Sequence, residues 1–302
     1  MKPFHTGFNL AIERAAQDGT EYQVGAGEIP CIAEVPLADR QTCLPLGEEQ
    51  FGVEDFMDCA TRGPVNGFEE KFTYLLWNKK LTPDNENWLL TNGYIVGNRV
   101  ELSDRFNAIL SSTTRSGNSL KGPIDSCRND GMIPKSMLPK GKDMTWEQYH
   151  NRNDTTQKMI DLGQEFRRRF LLNYQQVPRS QFDQYLERDG LCTAGFAWPA
   201  PVAGEYGPSD ALPNHAFWTF KNQYYAFDNY RDSVDGDYIK KLTPTYKFLD
   251  YGYRLIIRKQ TTEEERKFIM TVFEVFKRYG FLAFFEKFLA LLGKKLGLWK
   301  PL

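Results

Sequence analysis

Histidine is scarce in this chain: His5, His150 and His215 are the three among 302 residues. Any chemistry that needs an imidazole therefore has few places to sit. A formal net charge of −1 gives no general attraction for polyanions, and no basic patch is interleaved with aromatic residues, so nucleic-acid binding is not expected. The five cysteines, Cys31, Cys43, Cys59, Cys127 and Cys192, are odd in number and include no C-x-x-C pair. With so little histidine they do not read as a zinc set, and neither a metal nor a cofactor is expected. The first residues, Met1 to Thr6, lack the apolar core of a signal peptide, which predicts a protein kept in a reducing compartment such as the cytoplasm. No run of about 18 uncharged apolar residues occurs, so no transmembrane helix is expected.

What is present is the composition of a soluble globular protein, 41% hydrophobic and 25% charged, on a chain long enough for one large domain or two small ones. Residues 1–31 read as an arm or leader, with a short helical pattern from Phe8 to Ala16 and glycines from Gly19 to Gly27. Ile32 to Glu49, with Pro36 and Pro45, reads as extended chain. Apolar residues at 68, 72, 75 and 76 place a helical stripe in Phe68 to Trp77, after Gly63, Pro64 and Gly67, which should delay or distort its start. Ser103 caps a helix running to Leu110, and another spans Ser119 to Asn129, before Gly131. Residues 144–172 are polar and helical, with His150 in a solvated helix and turn and Arg167 to Arg169 on a solvated face. From Gly190 onward the pattern is of strands: 191–198, 216–220, 223–227 and 253–257, with a hairpin turn at Asn222. Helices first and strands afterwards predict an α+β protein whose two halves meet at a cleft.

Chemistry concentrates at three points. Cys59 follows a turn-like approach from Gln50 to Asp58, His215 opens the apolar strand after Pro213 and Asn214, and Asp228-Asn229-Tyr230 comes after the next strand. A free thiol is only a few per cent thiolate at neutral pH, and an adjacent imidazole turns it into an ion pair. A third polar group then holds the imidazole in the useful tautomer. Cys59 is accordingly expected to react as a thiolate at pH 6 to 7, whereas Cys127 and Cys192 read as buried small hydrophobes.

With those residues in place the chain resembles the papain-like cysteine peptidases, especially divergent forms of bacteriophages and bacteria, over about Ile32 to Ile257. The patches that carry the resemblance are Asp58-Cys59-Ala60-Thr61, Leu102-Ser103-Asp104 with Gly117-Asn118-Ser119, Asn214-His215-Ala216, Asp228-Asn229-Tyr230 and Gly252-Tyr253. The resemblance implies a helical half and an antiparallel sheet half within residues 32–259. It implies Cys59 as nucleophile, His215 as base, Asp228 or alternatively Asn229 as the third member, Gln50 as an oxyanion donor, and Gly117 and Asn118 as the edge that binds a peptide or protein substrate. It also leaves open a catalytically weak fold kept as a structural or docking protein, of a phage particle for example, so the expected location is cytoplasmic or virion-associated.

Residues 260–302 lie beyond the resemblance. Thr261, Thr262 and three glutamates mark a helix start, and phenylalanines and leucines follow with Lys287, Lys294, Lys295 and Trp299. This reads as an amphipathic helical extension contacting a membrane surface, a protein assembly, or its own domain.

Overall fold

A helix buried on all sides must find partners for its polar residues, and Cys59–Trp77 is such a helix: only Leu76 and Trp77, at its end, are not buried. The other elements are arranged around it. The computed structural model describes residues 7–17, 29–47, 49–196, 201–207, 212–221, 225–231 and 236–258. In chain order these form α1 (Leu10–Ala16), α2 (Leu37–Cys43), α3 (Cys59–Trp77), α4 (Pro83–Thr91), the short pair β1 (Ile95–Val96) and β2 (Arg99–Val100), α5 (Asp104–Leu110) and α6 (Lys121–Asp130). There follow α7 (Trp146–Tyr149), α8 (Gln157–Arg169), β3 (Leu171–Pro178), α9 (Phe182–Arg188), β4 (Leu191–Gly195), β5 (His215–Thr219), β6 (Tyr225–Phe227), β7 (Ile239–Lys241) and β8 (Tyr251–Arg258). Strands 3 to 8 make one antiparallel sheet in the order β3-β8-β4-β5-β6-β7. The architecture is therefore the expected mixture of helices and antiparallel sheet.

Gly63, Pro64 and Gly67 do not delay α3, which starts at Cys59 and runs through all three. Packing explains why. A Cβ on Gly67 would lie 2.6 Å from the Trp218 ring and 2.7 Å from Leu255, and one on Gly63 3.0 Å from the Cys192 Sγ, so the two glycines let the helix backbone approach the sheet. Burial against the sheet outweighs about 1 kcal/mol of lost propensity per glycine. The buried charges of the same helix are matched: Lys71 Nζ lies 2.5 Å from both Asp189 oxygens, and Trp218 Nε1 donates to Glu70 Oε2 at 2.5 Å. Burial still pushes the Glu70 carboxyl up to about 8, against the opposing pull of Lys71.

Other expectations need correction. The stretch between Pro36 and Pro45 is not wholly extended but holds α2, with Pro36 at its N-cap, where a missing N–H costs nothing. The polar segment at 144–172 ends in a strand, β3, paired along its whole length with β8. His150 is half-buried rather than fully solvated: its Nε2 meets the Phe56 carbonyl at 2.8 Å, its ring lies tilted against Trp146 with centroids 4.4 Å apart, and burial lowers its pKa. The Asn222 turn and the extension at 260–302 lie outside the described residues. Among the described residues no helix is long and apolar enough to cross a membrane.

Candidate active site

Cys59 is the first residue of α3, where the backbone N–H groups of a helix are unspent and its dipole is positive. Asp58 precedes it, and its carboxylate is bound by Arg62 Nε at 2.9 and 3.0 Å and by the Tyr149 hydroxyl at 2.5 Å. Arg62 also reaches Asp104 at 3.1 Å. A guanidinium one turn into the helix thus offsets the acid next to the thiol.

His215 is the first residue of β5, paired with Gly195 at the end of β4. Its Nε2 lies 2.6 Å from Asp228 Oδ1, which also accepts from the Asn229 N–H at 2.7 Å. The Asp228 N–H donates to the Tyr238 carbonyl at 2.8 Å, fixing the carboxylate's own backbone. Asn229 points elsewhere, its Oδ1 accepting from Asn66 Nδ2 at 3.1 Å. Of the two candidates for the third role, Asp228 is the one that meets the imidazole. The thiol comes from the other half of the fold: Cys59 Sγ accepts from the Ala216 N–H at 3.3 Å, which seats it against the residue after His215. Nε2 is thus the ring nitrogen that Asp228 engages. Asp228→Ala is expected to lower kcat on a peptide substrate on the order of 10³-fold, because the imidazole loses its orienting partner, and Asn229→Ala less than about tenfold. Steady-state kinetics decide this, and a larger loss at Asn229 would shift the third role to the Asn66–Asn229 pair.

Gln50 is buried, and its backbone N–H donates to the Asn229 carbonyl at 2.9 Å. The side-chain amide donates from Nε2 to Asp55 Oδ1 at 2.7 Å. The sequence does not single out Asp55, and names Tyr230, whose hydroxyl donates to Asp55 Oδ2 at 2.6 Å, only as part of the Asp228-Asn229-Tyr230 patch, with no role. The one hint is the long spacing from Gln50 to Cys59, which must be taken up by a local hairpin.

Gly117 and Asn118, the expected substrate edge, are occupied by the chain's own N-terminal segment. The Asn118 N–H donates to the Gly7 carbonyl and the Asn9 N–H to the Asn118 carbonyl, both at 2.8 Å, a parallel pairing. The Phe8 N–H donates to the carbonyl of Asn214 at 3.3 Å, one residue before His215. On the cysteine side the fit is closer still: a Cβ on Gly7 would sit 2.0 Å from the Met57 carbonyl oxygen. Gly7 is therefore wedged against the backbone leading into Cys59, where no larger residue fits. Cys59 and His215 are both 0% exposed.

The segment is anchored through α1. Glu13 is fully buried, and its Oε1 accepts from the hydroxyls of Tyr251 at 2.8 Å and Tyr253 at 3.0 Å and from Gln17 Nε2 at 3.1 Å. Its Oε2 accepts from the Leu120 N–H at 2.6 Å, at the start of α6. A carboxylate at a helix N-terminus that holds two sheet tyrosines is one fastening of the arm, beside Gln17 on the same tyrosines and Lys121 Nζ on the Ala16 carbonyl at 3.0 Å.

The surroundings of the thiol in this closed arrangement favour its neutral form. Burial pushes the Cys59 thiol well above its ordinary range, and the acids Asp55, Asp58 and Asp228 push it the same way, against the Ala216 N–H that favours the thiolate. Cys127 and Cys192 are buried and likewise raised by burial.

No family model and no curated protein matches the sequence. Solved structures are similar to it in fold. The chain is similar to xylellain, a cysteine protease from Xylella fastidiosa, at 12% identity over 85% of this chain and 97% of that one, with a TM-score of 0.48. It is similar to a structure from work on antibody cross-reactivity between the mite allergens Blo t 1 and Der p 1, at 10% identity over 83% and 79%, with a TM-score of 0.47. A third is the Carica candamarcensis cysteine protease CMS1MS2 in complex with E-64, at 14% identity over 77% and 100%, with a TM-score of 0.44.

Proposed function

We propose that the protein is a papain-type thiol peptidase whose resting form is closed by its own N-terminal arm. The observation that carries the reading is the convergence of Cys59 at a helix N-terminus with His215 and Asp228 from the sheet. In this reading Nδ1 of His215 takes the thiol proton as Sγ attacks the scissile carbonyl carbon, forming a C–S bond and an oxyanion. The Cys59 N–H and the Gln50 amide donate to that oxyanion. As the C–N bond breaks, the imidazolium returns the proton to the leaving amine. Water, deprotonated by His215, then cleaves the thioester and restores the thiol. Asp228 holds Nε2 throughout and stabilises the imidazolium.

Turnover requires Gly7–Asn9 to leave the Gly117–Asn118 edge, since a substrate strand cannot share the same backbone groups. One observation favours the second reading, a papain-type fold kept as a structural or docking module: the pair is sealed and the thiol's environment is acidic. The test is hydrolysis of a fluorogenic peptide library by the wild type and by Cys59→Ala; equal rates in the two would leave the docking module as the account.

A further inference from the structure

Asp55 stands outside the set of groups that would touch a substrate, yet three parts of the site meet at its carboxylate. Oδ1 accepts from Gln50 Nε2 at 2.7 Å and from the Met57 N–H at 2.8 Å, and Oδ2 accepts from the Tyr230 hydroxyl at 2.6 Å. Gln50 lies at the foot of the small hairpin in which Phe51 bridges to Asp55. Met57, at a φ of 57°, is in the left-handed region two residues before Cys59. Tyr230 is two residues after Asp228, with its ring 5.2 Å from that of His215.

A carboxylate only accepts hydrogen bonds, so it decides which end of the Gln50 amide faces it. The nitrogen is drawn to Asp55, and Gln50 Oε1 is left buried without a hydrogen-bond partner. An amide so little held at its oxygen could turn over at small cost without Asp55, and an amide turned that way would present an acceptor where a donor is needed. The Met57 contact acts on the other donor, because it fixes the strained turn that sets the direction of the chain into Cys59.

We propose that Asp55 is the positioning residue of the oxyanion site, acting through Gln50 and the Met57 turn; this rests on the thiol-peptidase reading. The arrangement carries a cost. The groups that act on the Cys59 thiol are the Ala216 N–H and the acids Asp55, Asp58 and Asp228, with the Tyr230 hydroxyl also interacting with it. Asp58 is matched by Arg62, while the donors to Asp55, namely Gln50, the Met57 N–H and Tyr230, are neutral. Asp55 itself is pushed up by burial and by Asp58, against those three hydrogen bonds. A carboxylate kept here makes the thiol less acidic, so its removal should affect two measurable properties in opposite directions.

Those properties are turnover and thiol acidity, measured on the full chain. Gln50→Ala and Asp55→Ala are each expected to lower kcat about 100-fold, with KM changed less than about threefold. The double variant should be no slower than the slower single one, because the two residues act as a unit. Asp55→Asn, which preserves shape, should lower the pH midpoint of Cys59 alkylation while still lowering kcat, with an unchanged melting temperature showing that the fold is retained. A merely structural residue would not move the two readouts apart. Losses that multiply in the double variant, or a midpoint that stays or rises in Asp55→Asn, would overturn the proposal while leaving the peptidase reading in place. A chain that hydrolyses no peptide either as wild type or as Glu13→Ala removes that reading instead, and the role of Asp55 with it.

Discussion

Alanine at Cys59 should reduce peptide hydrolysis by on the order of 10⁴-fold or more, and alanine at His215 by a similar factor, with the double variant no slower than either. The size follows from roles rather than contacts. Without Sγ no acyl-enzyme forms, and without His215 the thiol keeps a proton that its surroundings already favour, since burial and Asp55, Asp58 and Asp228 all hold it in the neutral form. Little structural cost should accompany the cysteine change, because Cys59→Ala keeps a small apolar group in a buried position at the head of α3. The measurement is kcat/KM for the wild type and the three variants on one fluorogenic peptide, with thermal melts as the control on folding. Multiplicative losses would mean that the two side chains do not act together.

Glu13→Ala should have the opposite effect and raise the rate of Cys59 alkylation and of peptide hydrolysis roughly a hundredfold. In the closed form the Glu13 carboxylate satisfies the hydroxyls of Tyr251 and Tyr253 and the Leu120 N–H. With the carboxylate gone, the two hydroxyl protons and the Leu120 N–H lose their acceptor while α1 stays docked, although Gln17 Nε2 still donates to both hydroxyl oxygens, and they meet water when it leaves, so the change penalises the closed form. Hydrogen bonds to a charged group contribute about 1.5 to 3 kcal/mol each, and a net shift of about 3 kcal/mol towards the open form corresponds to roughly two orders of magnitude. The gain is limited once the arm is mostly open. Stopped-flow alkylation of Cys59 in the wild type and in Glu13→Ala provides the comparison. An unchanged rate would mean that the arm is held by its other bonds, those of Gly7–Asn9 to Asn118 and Asn214 and those of Ala16 and Gln17 to Lys121, Gln176 and the two tyrosines, and a permanently closed site would favour the docking-module reading.

The two predictions also mark what the sequence made legible. Cys59 and His215 stood out because thiol and imidazole are rare in this chain, and scarce residue types in a suggestive order carry information that common ones do not; Asp228 was reached through the resemblance, with Asn229 beside it as the alternative. Asp55 and Glu13 are two of 39 acidic residues, and what distinguishes them is their partners: Glu13 is held by Leu120, 107 positions away, and by Tyr253, 240 positions away. No local pattern encodes such pairings. The strands β4, β5 and β8 were legible from their apolar runs, whereas β3 was hidden because Asn173, Gln175 and Gln176 interrupt it while Gln175 is buried against Arg254. The true start of α3 was obscured for a related reason. Glycine and proline report intrinsic propensity, but Gly63 and Gly67 sit where the sheet demands small residues, a demand made by Cys192, Trp218 and Leu255 far along the chain.

The central claim, a single nucleophilic cysteine activated by His215, is tested most directly by incubating the full chain with a peptidyl epoxide at pH 7 and mapping the adduct by mass. The predicted result is one adduct, on Cys59, formed slowly in the wild type, faster in Glu13→Ala, and not at all when His215→Ala is added to that variant. An adduct on any other cysteine, no adduct on Cys59 even in Glu13→Ala, or a Cys59 rate indifferent to His215 would contradict it.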